Sequence, residues 1–296
     1  MKETLAAIDI GSNAIRLVIN YVDNSDKVAF KKAAFLRVPI RLGEDVFTKG
    51  EIGANKRQRL CEAMEAFSHV MRTYKVSKFR ACATSAMREA SNGAEVVDYI
   101  AKVSGISIEI ISGQEEAKTI FEAGDVAGLM DRRESYLYVD VGGGSTEVTI
   151  YSNNKRATSE SFRLGTVRTI SDAVDKNEHK RFKRWLEEVA LPYHPVAIIG
   201  SGGNINKVHK LLSKKDRESI RYIELKLLYN QINEMSYEER LRNMGLNTYR
   251  ADVITPAMKI FLTVAKACKI DEIVVPKVGL ADGIIHHLYI KELAKK

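Results

Sequence analysis

The chain has 296 residues, of which 45% are hydrophobic and 28% charged, and its net charge at pH 7 is +8. That composition is typical of a globular protein rather than a disordered one, and the length predicts two domains, each with its own core. The sequence contains no apolar run of about 18 residues and no basic N-terminal segment followed by a long apolar stretch. We therefore expect neither a membrane helix nor a signal peptide.

The cysteines and the basic residues narrow the class of protein further. Cys61, Cys82 and Cys268 are widely spaced and form no CxxC pair, which predicts reduced thiols, a cytoplasmic location and no zinc site. The basic residues are dispersed and match no nucleic-acid-binding fingerprint, so we expect neither nucleic acid nor a membrane as a partner. The positive charge fits either a polyanionic small substrate or a surface that is simply rich in lysine, and both interpretations stay open.

Along the chain, the apolar pattern alternates between the period of a strand and the period of a helix. It predicts strands at residues 4–10, 15–22, 27–41, 106–112 and 270–276, a strand that runs into a turn at 79–86, and a hairpin at 135–152. It predicts helices at residues 52–74, 92–105, 113–129, 182–190, 224–235, near 252–268 and 280–293, and a strand, glycine turn and helix at 196–212. This alternation indicates an α/β fold.

One pattern occurs twice. LAAIDIGSNAIRLVI at 5–19 and YLYVDVGGGSTEVTI at 136–150 both consist of an apolar strand, an aspartate, a glycine, a small polar turn and a second strand. Asp9 and Asp140 occupy the same place in the pattern. The repeat favours two duplicated domains, with a chance match of two short hairpins as the alternative.

We set the boundary between the two domains shortly before the second copy of the repeat. The sequence leaves open whether the terminal helix belongs to the second domain or packs back on the first. The predicted ranges are residues 1–125, residues 126–296 and, for that helix, residues 281–296.

Glycine is unfavourable in strands, so the run at 142–144 between two strand-like segments suggests a specific role for these residues. A turn without side chains lets backbone N–H groups approach an anion closely. An acid beside such a turn would repel phosphate unless it holds a cation, and magnesium takes one or two carboxylates together with water and phosphate oxygens. Asp140 before the run and Glu147 after it are the candidate ligands, with a tight turn carrying surface acids as the alternative.

Three further features fit phosphate chemistry. GSGGN at 200–204 follows a strand and opens a helix, a geometry that suits an anion, although it is neither GxGxxG nor a Walker A loop. Arg16 and Arg88 follow turns and can offer a planar fork to phosphate, or they are ordinary surface arginines. Glu115 and Glu116 open a predicted helix, where they complement its dipole or where one serves as a general base for phosphoryl transfer to water.

Together these motifs resemble the exopolyphosphatase / guanosine pentaphosphate phosphohydrolase family, within the actin–hexokinase–Hsp70 ATPase-like superfamily. The resemblance covers nearly the whole chain in the right order. It is carried by DIGSNAIRL at 9–17, ATSAMREASN at 83–92, ISGQEEAKTIF at 111–121, VDVGGGSTEV at 139–148, FRLGTVR at 162–168, GSGGN at 200–204 and RADVITPA at 250–257.

The resemblance implies two actin-like (ribonuclease H-like) domains with a phosphate-binding cleft between them. It implies a hydrolase, dependent on Mg²⁺ or Mn²⁺, that releases terminal phosphate from inorganic polyphosphate. Removal of the 5′ phosphate of pppGpp and non-catalytic binding of guanosine penta- or tetraphosphate are the alternatives. A sugar kinase is disfavoured, since such kinases lack the motifs at 83–92 and 111–121. A homodimer stays open.

Roles are carried over to individual positions by the same resemblance. Glu116 takes the place of the catalytic base, and Asp140 and Glu147 take the places of the metal-associated acids. The expected phosphate-binding residues are Ser12, Asn13, Arg16, Arg88, Gly143, Gly144, Ser145, Gly202 and Arg250.

The chain also departs from the family pattern at four positions. The family has a hydroxyl residue where this chain has Ala14, arginine where it has Lys118, glycine where it has Ala257 and arginine where it has Ala281. None of these changes removes the base or the metal-associated acids. Because larger members continue with helical domains, we expect a preference for short chains or nucleotides.

Overall fold

The computed structural model describes residues 2–23, 29–123 and 127–293. The chain divides into two compact units. Unit 1 combines Met1–Gly124 with Gly279–Lys296, and unit 2 is Asp125–Val278. No helix among the described residues is both long enough and apolar enough to cross a membrane.

Strands and helices alternate along both units. The strands are β1 (Lys2–Ile10), β2 (Ile15–Asp23), β3 (Ala29–Val38), β4 (Lys78–Ala83), β5 (Ile108–Ile110), β6 (Ser135–Val141), β7 (Thr146–Ser152), β8 (Lys155–Phe162), β9 (Ala197–Ser201), β10 (Ile220–Arg221) and β11 (Glu272–Val274). The helices are α1 (Leu42–Lys49), α2 (Ala54–Thr73), α3 (Ser85–Glu89), α4 (Gly93–Ser104), α5 (Gly113–Phe121), α6 (Thr166–Ile170), α7 (Lys176–Trp185), α8 (Gly203–Leu211), α9 (Tyr222–Glu234), α10 (Tyr237–Asn243), α11 (Ile254–Ala267) and α12 (Leu280–Leu293). The mixed α/β class predicted from the sequence is confirmed.

The sheet of unit 1 has the strand order β3-β2-β1-β4-β5. β1 and β2 form an antiparallel hairpin, whereas β4 and β5 run parallel to β1. Side chains alternate across a strand, so one face of the hairpin joins α2 in a buried core and Asp9 and Arg16 lie on the other face. The core residues are Ile8, Ile10, Ile15, Leu17, Leu60, Met64 and Phe67. α12 packs on β1, β4 and α5.

The sheet of unit 2 has the order β10-β11-β9-β6-β7-β8. Its first hairpin, β6–β7, is antiparallel like β1–β2, and β9 runs parallel to β6. One face of β6 packs in a core with α7 and α11, and Asp140 lies on the opposite face. That core includes Leu137, Val139, Val141, Phe182, Met258 and Phe261.

The predicted element types are confirmed where the pattern is long and periodic, and several of the bounds differ. The helix expected to reach residue 129 ends at Phe121, because the N–H of Ala123 turns back to the carbonyl of Ile120 and closes the last turn tightly. Its continuation at 124–126, like positions 27 and 28 of the third predicted strand, lies outside the described residues. The helix predicted at 182–190 begins at Lys176 and finishes in a π-helical turn at Leu186–Ala190.

Candidate active site

The two hairpins of the internal repeat have the same register. Asp9 lies opposite Arg16 across β1 and β2, and Asp140 lies opposite Glu147 across β6 and β7. Each aspartate is the next-to-last residue of its strand, so the loop that follows begins two residues later. Residues directly opposite in an antiparallel pair project from the same face of the sheet. The equivalent pair of positions therefore holds one acidic and one basic residue in unit 1, and two acidic residues in unit 2.

This difference decides where a cation would be needed. In unit 1 the Arg16 guanidinium forms an ion pair with the Asp9 carboxylate. In unit 2, Asp140 and Glu147 are 7% and 2% exposed, and two neighbouring carboxylates disfavour each other's ionised form. A divalent cation bound here would relieve that repulsion.

The donor set of unit 2 fits magnesium. Mg²⁺ is held by one or two carboxylates and keeps water and phosphate oxygens as its other ligands. Glu147 is oriented by two hydroxyls, since its Oε1 accepts hydrogen bonds from Ser145 Oγ at 2.6 Å and Ser161 Oγ at 3.1 Å. The described part of the chain contains no group of three or more His, Cys, Asp or Glu side chains able to hold a metal.

The carbonyl groups of the glycine loop are all bonded to one segment, residues 165–168. Thr166 N–H donates to Gly142 O at 3.0 Å, and Val167 N–H donates to Gly143 O at 2.8 Å. Arg168 donates to Gly143 O from its main chain at 3.0 Å and to Gly144 O from Nε at 2.8 Å. In a planar trans peptide the C=O and N–H point in opposite directions. The N–H groups of residues 143–145 therefore face away from this segment, as an anion site requires.

Two glycines outside the loop allow this close packing. A Cβ at Gly165 would lie 2.3 Å from the backbone of Gly143 and Gly144. Gly202 has φ +111°, and a Cβ there would lie 2.8 Å from Val141 O and 3.4 Å from Asp140 Oδ1. Gly202, which the sequence predicts to bind phosphate, is thus next to Asp140. Its positive φ favours glycine at this position.

The first loop of unit 1 is built in the same way. Gly11 N–H donates to Ala14 O at 3.1 Å, as Gly142 N–H does to Ser145 O at 3.0 Å. The next two carbonyls of the loop accept hydrogen bonds from the start of α1. Gly43 N–H donates to Ser12 O at 2.9 Å, and Arg41 N–H donates to Asn13 O at 3.0 Å. The amides of Asn13 and Ala14 consequently face away from α1.

Three strand ends of unit 1 are tied together beside that loop. Ser12 Oγ lies 2.9 Å from Ser85 Oγ at the start of α3, and both residues are buried. Arg88 Nη1 donates to Ile111 O at 2.7 Å, just before α5. The carboxyl ends of parallel strands are where α/β sheets place their ligands. The structure therefore brings Ser12, Asn13, Arg88 and the first turn of α5 to one end of the sheet.

The two glutamates of α5 have different surroundings. Ser112 Oγ caps the helix by accepting from Glu115 N–H at 3.1 Å. The Glu115 carboxylate is 2.9 Å from Arg80 Nη2, and the same guanidinium also bonds Glu109. Glu116 is half-buried on the next position of the first turn. Glu115 is thus engaged in a surface ion-pair network, whereas Glu116 is at the strand end that gathers the other predicted residues.

Two predicted arginines need comment. Arg16 is partly exposed, and its guanidinium contacts Asp9, so a contact with phosphate would be made from within that ion pair. Arg250 lies in the turn before α11, where its N–H bonds Asn247 O at 3.0 Å. It is near Lys207 of α8, whose pKa is lowered by burial and by the charges of Arg250 and Lys210. Lys207 was not predicted from the sequence, because nothing in its local pattern marks it.

Three of the four departures from the family pattern are buried alanines. Ala14, Ala257 and Ala281 are buried in the packed interior. Lys118 is exposed on α5 and lies 3.8 Å from Glu122, one turn further along the same helix. A hydroxyl is absent at Ala14 and a guanidinium at Lys118 and Ala281, but the hydrogen bonds that shape the two loops use none of these side chains.

Two units that repeat one hairpin and turn loop amides to one side define the actin-like class of α/β protein. An exopolyphosphatase structure from Cytophaga hutchinsonii is 25% identical with a TM-score of 0.83, over 97% of both chains. An Aquifex aeolicus Ppx/GppA family member is 24% identical with a TM-score of 0.77, over 99% of both. Residues 21–292 match the Ppx/GppA phosphatase family. The chain belongs to that family, and by class it is a phosphoanhydride hydrolase.

Curated relatives fall under two names. A Haemophilus influenzae protein, provisionally named an exopolyphosphatase, is 26% identical over 96% of this chain and 91% of its own length. A Vibrio cholerae guanosine-5′-triphosphate,3′-diphosphate pyrophosphatase is 24% identical over 96% of this chain. The match covers only 59% of the length of that second relative.

Proposed function

We propose that the protein hydrolyses the terminal phosphoanhydride bond of inorganic polyphosphate, with preference for short chains, and that it depends on Mg²⁺ or Mn²⁺. Water attacks the terminal phosphorus, the bridging P–O bond breaks, and the products are orthophosphate and a chain shorter by one phosphate. Membership of a phosphatase family and the exopolyphosphatase names among the relatives support this substrate class.

The observation that carries the proposal is the pair of buried acids beside the glycine loop. Asp140 and Glu147 replace the Asp9–Arg16 pair of the other hairpin, and they lie beside the loop whose amides would face an anion. An anion site flanked by two acids is useful when the ligand arrives with a divalent cation. A bound cation would neutralise charge on the phosphate oxygens.

The remaining roles fall to groups of this chain. The amides of residues 143–145 donate hydrogen bonds to the phosphate oxygens, and Arg88 and Arg250 balance the charge of the polyanion. Glu116 accepts the proton of the attacking water. Phosphoryl transfer asks for little else, since positioning and charge stabilisation account for most of its catalysis.

Removal of the 5′ phosphate of pppGpp is the second candidate. It is supported by the pyrophosphatase names among the relatives and by a cavity of about 320 Å³ in unit 2. Leu129, Val274, Val275 and Pro276 give this cavity an apolar wall. Asp216, Arg217 and Lys277 line the rest of it, with Lys277 in an ion pair with Asp216. An apolar wall suits a nucleoside, and a bare phosphate chain does not need one.

We place the activity in the cytoplasm. Cys61, Cys82 and Cys268 are buried free thiols, as expected in a reducing compartment.

Phosphate release by the purified protein tests both candidates. The substrates are tripolyphosphate, long polyphosphate, pppGpp and ATP, each with Mg²⁺, with Mn²⁺ and with a chelator. Release from polyphosphate that stops with the chelator supports the proposal. Faster release from pppGpp, weakened by Lys277→Ala and Arg217→Ala while tripolyphosphate release is unchanged, favours the second candidate. Binding without release from any substrate contradicts both and leaves a sensor.

A further inference from the structure

We propose that Arg168 is a positioning residue that fixes the orientation of the glycine-loop amides and so sets phosphate affinity and turnover. This inference rests on the proposed function. No role came from the sequence, where Arg168 is only the last residue of FRLGTVR.

One residue holds two successive peptide groups of the loop. The main-chain N–H of Arg168 is 3.0 Å from Gly143 O, and its Nε is 2.8 Å from Gly144 O. The side chain is buried, with 6% of the residue exposed. Burying a guanidinium is costly unless its hydrogen bonds are made. The buried side chain thus makes one of its hydrogen bonds to the loop.

The corresponding bond in unit 1 uses the main chain. There the carbonyl of Asn13 accepts from Arg41 N–H, and a substitution at Arg41 would leave that amide in place. In unit 2 the carbonyl of Gly144 accepts from a side chain. Gly144, on the carbonyl side of this peptide, has no side chain and offers little steric resistance to its rotation. The Nε bond of Arg168 is therefore the constraint on the Gly144–Ser145 peptide that a substitution can remove.

That peptide connects to the acid pair. Its N–H belongs to Ser145, whose Oγ donates to Glu147 Oε1 at 2.6 Å. Rotation of the peptide would turn the Ser145 amide and shift the hydroxyl that orients Glu147. Arg168 thus acts on phosphate and on the carboxylates through one chain of contacts: Arg168 Nε, Gly144 O, Ser145 and Glu147.

Three variants separate positioning from charge and from folding. Arg168→Ala removes the guanidinium. Arg168→Lys keeps a positive charge but not the planar Nε–H. Arg156→Ala removes an exposed arginine on β8 and serves as the control. For each we would measure kcat and KM for tripolyphosphate, the Mg²⁺ concentration at half-maximal rate, tripolyphosphate binding, and thermal unfolding.

We expect Arg168→Ala and Arg168→Lys to lower kcat/KM by about 10- to 100-fold and to raise the Mg²⁺ requirement. Guanidinium added below denaturing concentrations should partly restore the alanine variant. Full activity in Arg168→Lys would overturn the inference, because a point charge would then suffice. So would a loss in the alanine variant that matches its unfolded fraction. If the wild type releases no phosphate, the proposed function fails, and unchanged tripolyphosphate binding in Arg168→Ala would separately overturn the positioning role.

Discussion

At the scale of residues, we predict different effects on turnover for substitutions of the two adjacent glutamates of α5. Glu115 bonds Arg80 in a network with Glu109, whereas Glu116 lies at the gathered strand ends of unit 1. Glu116→Gln should lower kcat by about 10²- to 10⁴-fold with little change in substrate binding, because the base is lost while the shape is kept. Steady-state phosphate release and equilibrium binding of tripolyphosphate measure the two effects.

Glu115→Gln is the matched control, since it makes the same change one residue away. It should leave kcat within a few-fold and cost at most about 1 kcal/mol of stability, as expected for a partly exposed ion pair. Equal losses in the two variants would mean that α5 contributes charge rather than a base.

The repeated hairpin gives a second internal control, for the metal. Asp140→Asn should raise the Mg²⁺ concentration needed for half-maximal rate by about 10-fold or more, because it removes one of the two carboxylates proposed to hold the metal. Asp9→Asn alters the equivalent position, where the partner is Arg16 and not an acid. It should lower stability without changing the metal titration. A metal dependence that shifts equally in both variants would contradict the assignment of the cation to unit 2.

At the scale of elements, α12 sets the position of the helix that carries Glu116. A Cβ on Gly283 would lie 2.0 Å from Thr119 O of α5. Gly283→Ala should therefore push the two helices apart, lower the free energy of unfolding by about 1–3 kcal/mol, and reduce kcat by displacing α5. Chemical denaturation and phosphate release provide the measurements.

Gly279→Ala is the control for that variant. It lies just before α12, and its Cβ would have no neighbour closer than Asp282 Oδ2 at 3.8 Å. It should be close to neutral. A Gly283→Ala protein as stable and active as Gly279→Ala would show that α5 tolerates the shift.

The hairpins were predictable because their information is local. Alternating apolar residues and the repeated Asp-x-Gly fix both strands and their register within 15 residues each. α1 and α6 were not predicted, because they are short and are held by contacts to distant loops. Gly165 must be glycine because of Gly143 and Gly144, and no pattern around residue 165 announces that contact.

The candidate site likewise combines features that the local sequence predicts with features that depend on the tertiary fold. The glycine run and the acids that flank it were predicted from residue type and spacing. The ion pair of Arg16 with Asp9, the tie of Arg88 to Ile111 and the hold of Arg168 on Gly144 were not. These contacts depend on which strands become neighbours, and that information lies in the tertiary fold.

At the scale of the whole molecule, each unit buries a cysteine in its interior. Burial raises the pKa of Cys82 to about 12, with Glu109, Glu115 and Asp9 adding to the rise and Arg80 opposing it. Burial likewise raises the pKa of Cys268 to about 12, with a smaller contribution from Glu187. A thiol with a raised pKa stays protonated in the folded state while it ionises in the unfolded chain at about pH 9.

The sign of the resulting pH dependence follows from linkage. The folded state holds the proton between about pH 9 and about pH 12, so this stabilisation is complete below pH 9 and is lost as the pH rises toward 12. Each thiol should lower the free energy of unfolding by roughly 1–2 kcal/mol between about pH 8 and about pH 10.5. Denaturant unfolding at the two pH values, compared with a Cys82→Ala/Cys268→Ala variant, isolates the effect, because the variant keeps every other alkaline titration. Its stability should fall less steeply, and an identical slope in both proteins would show that the buried thiols do not govern alkaline stability.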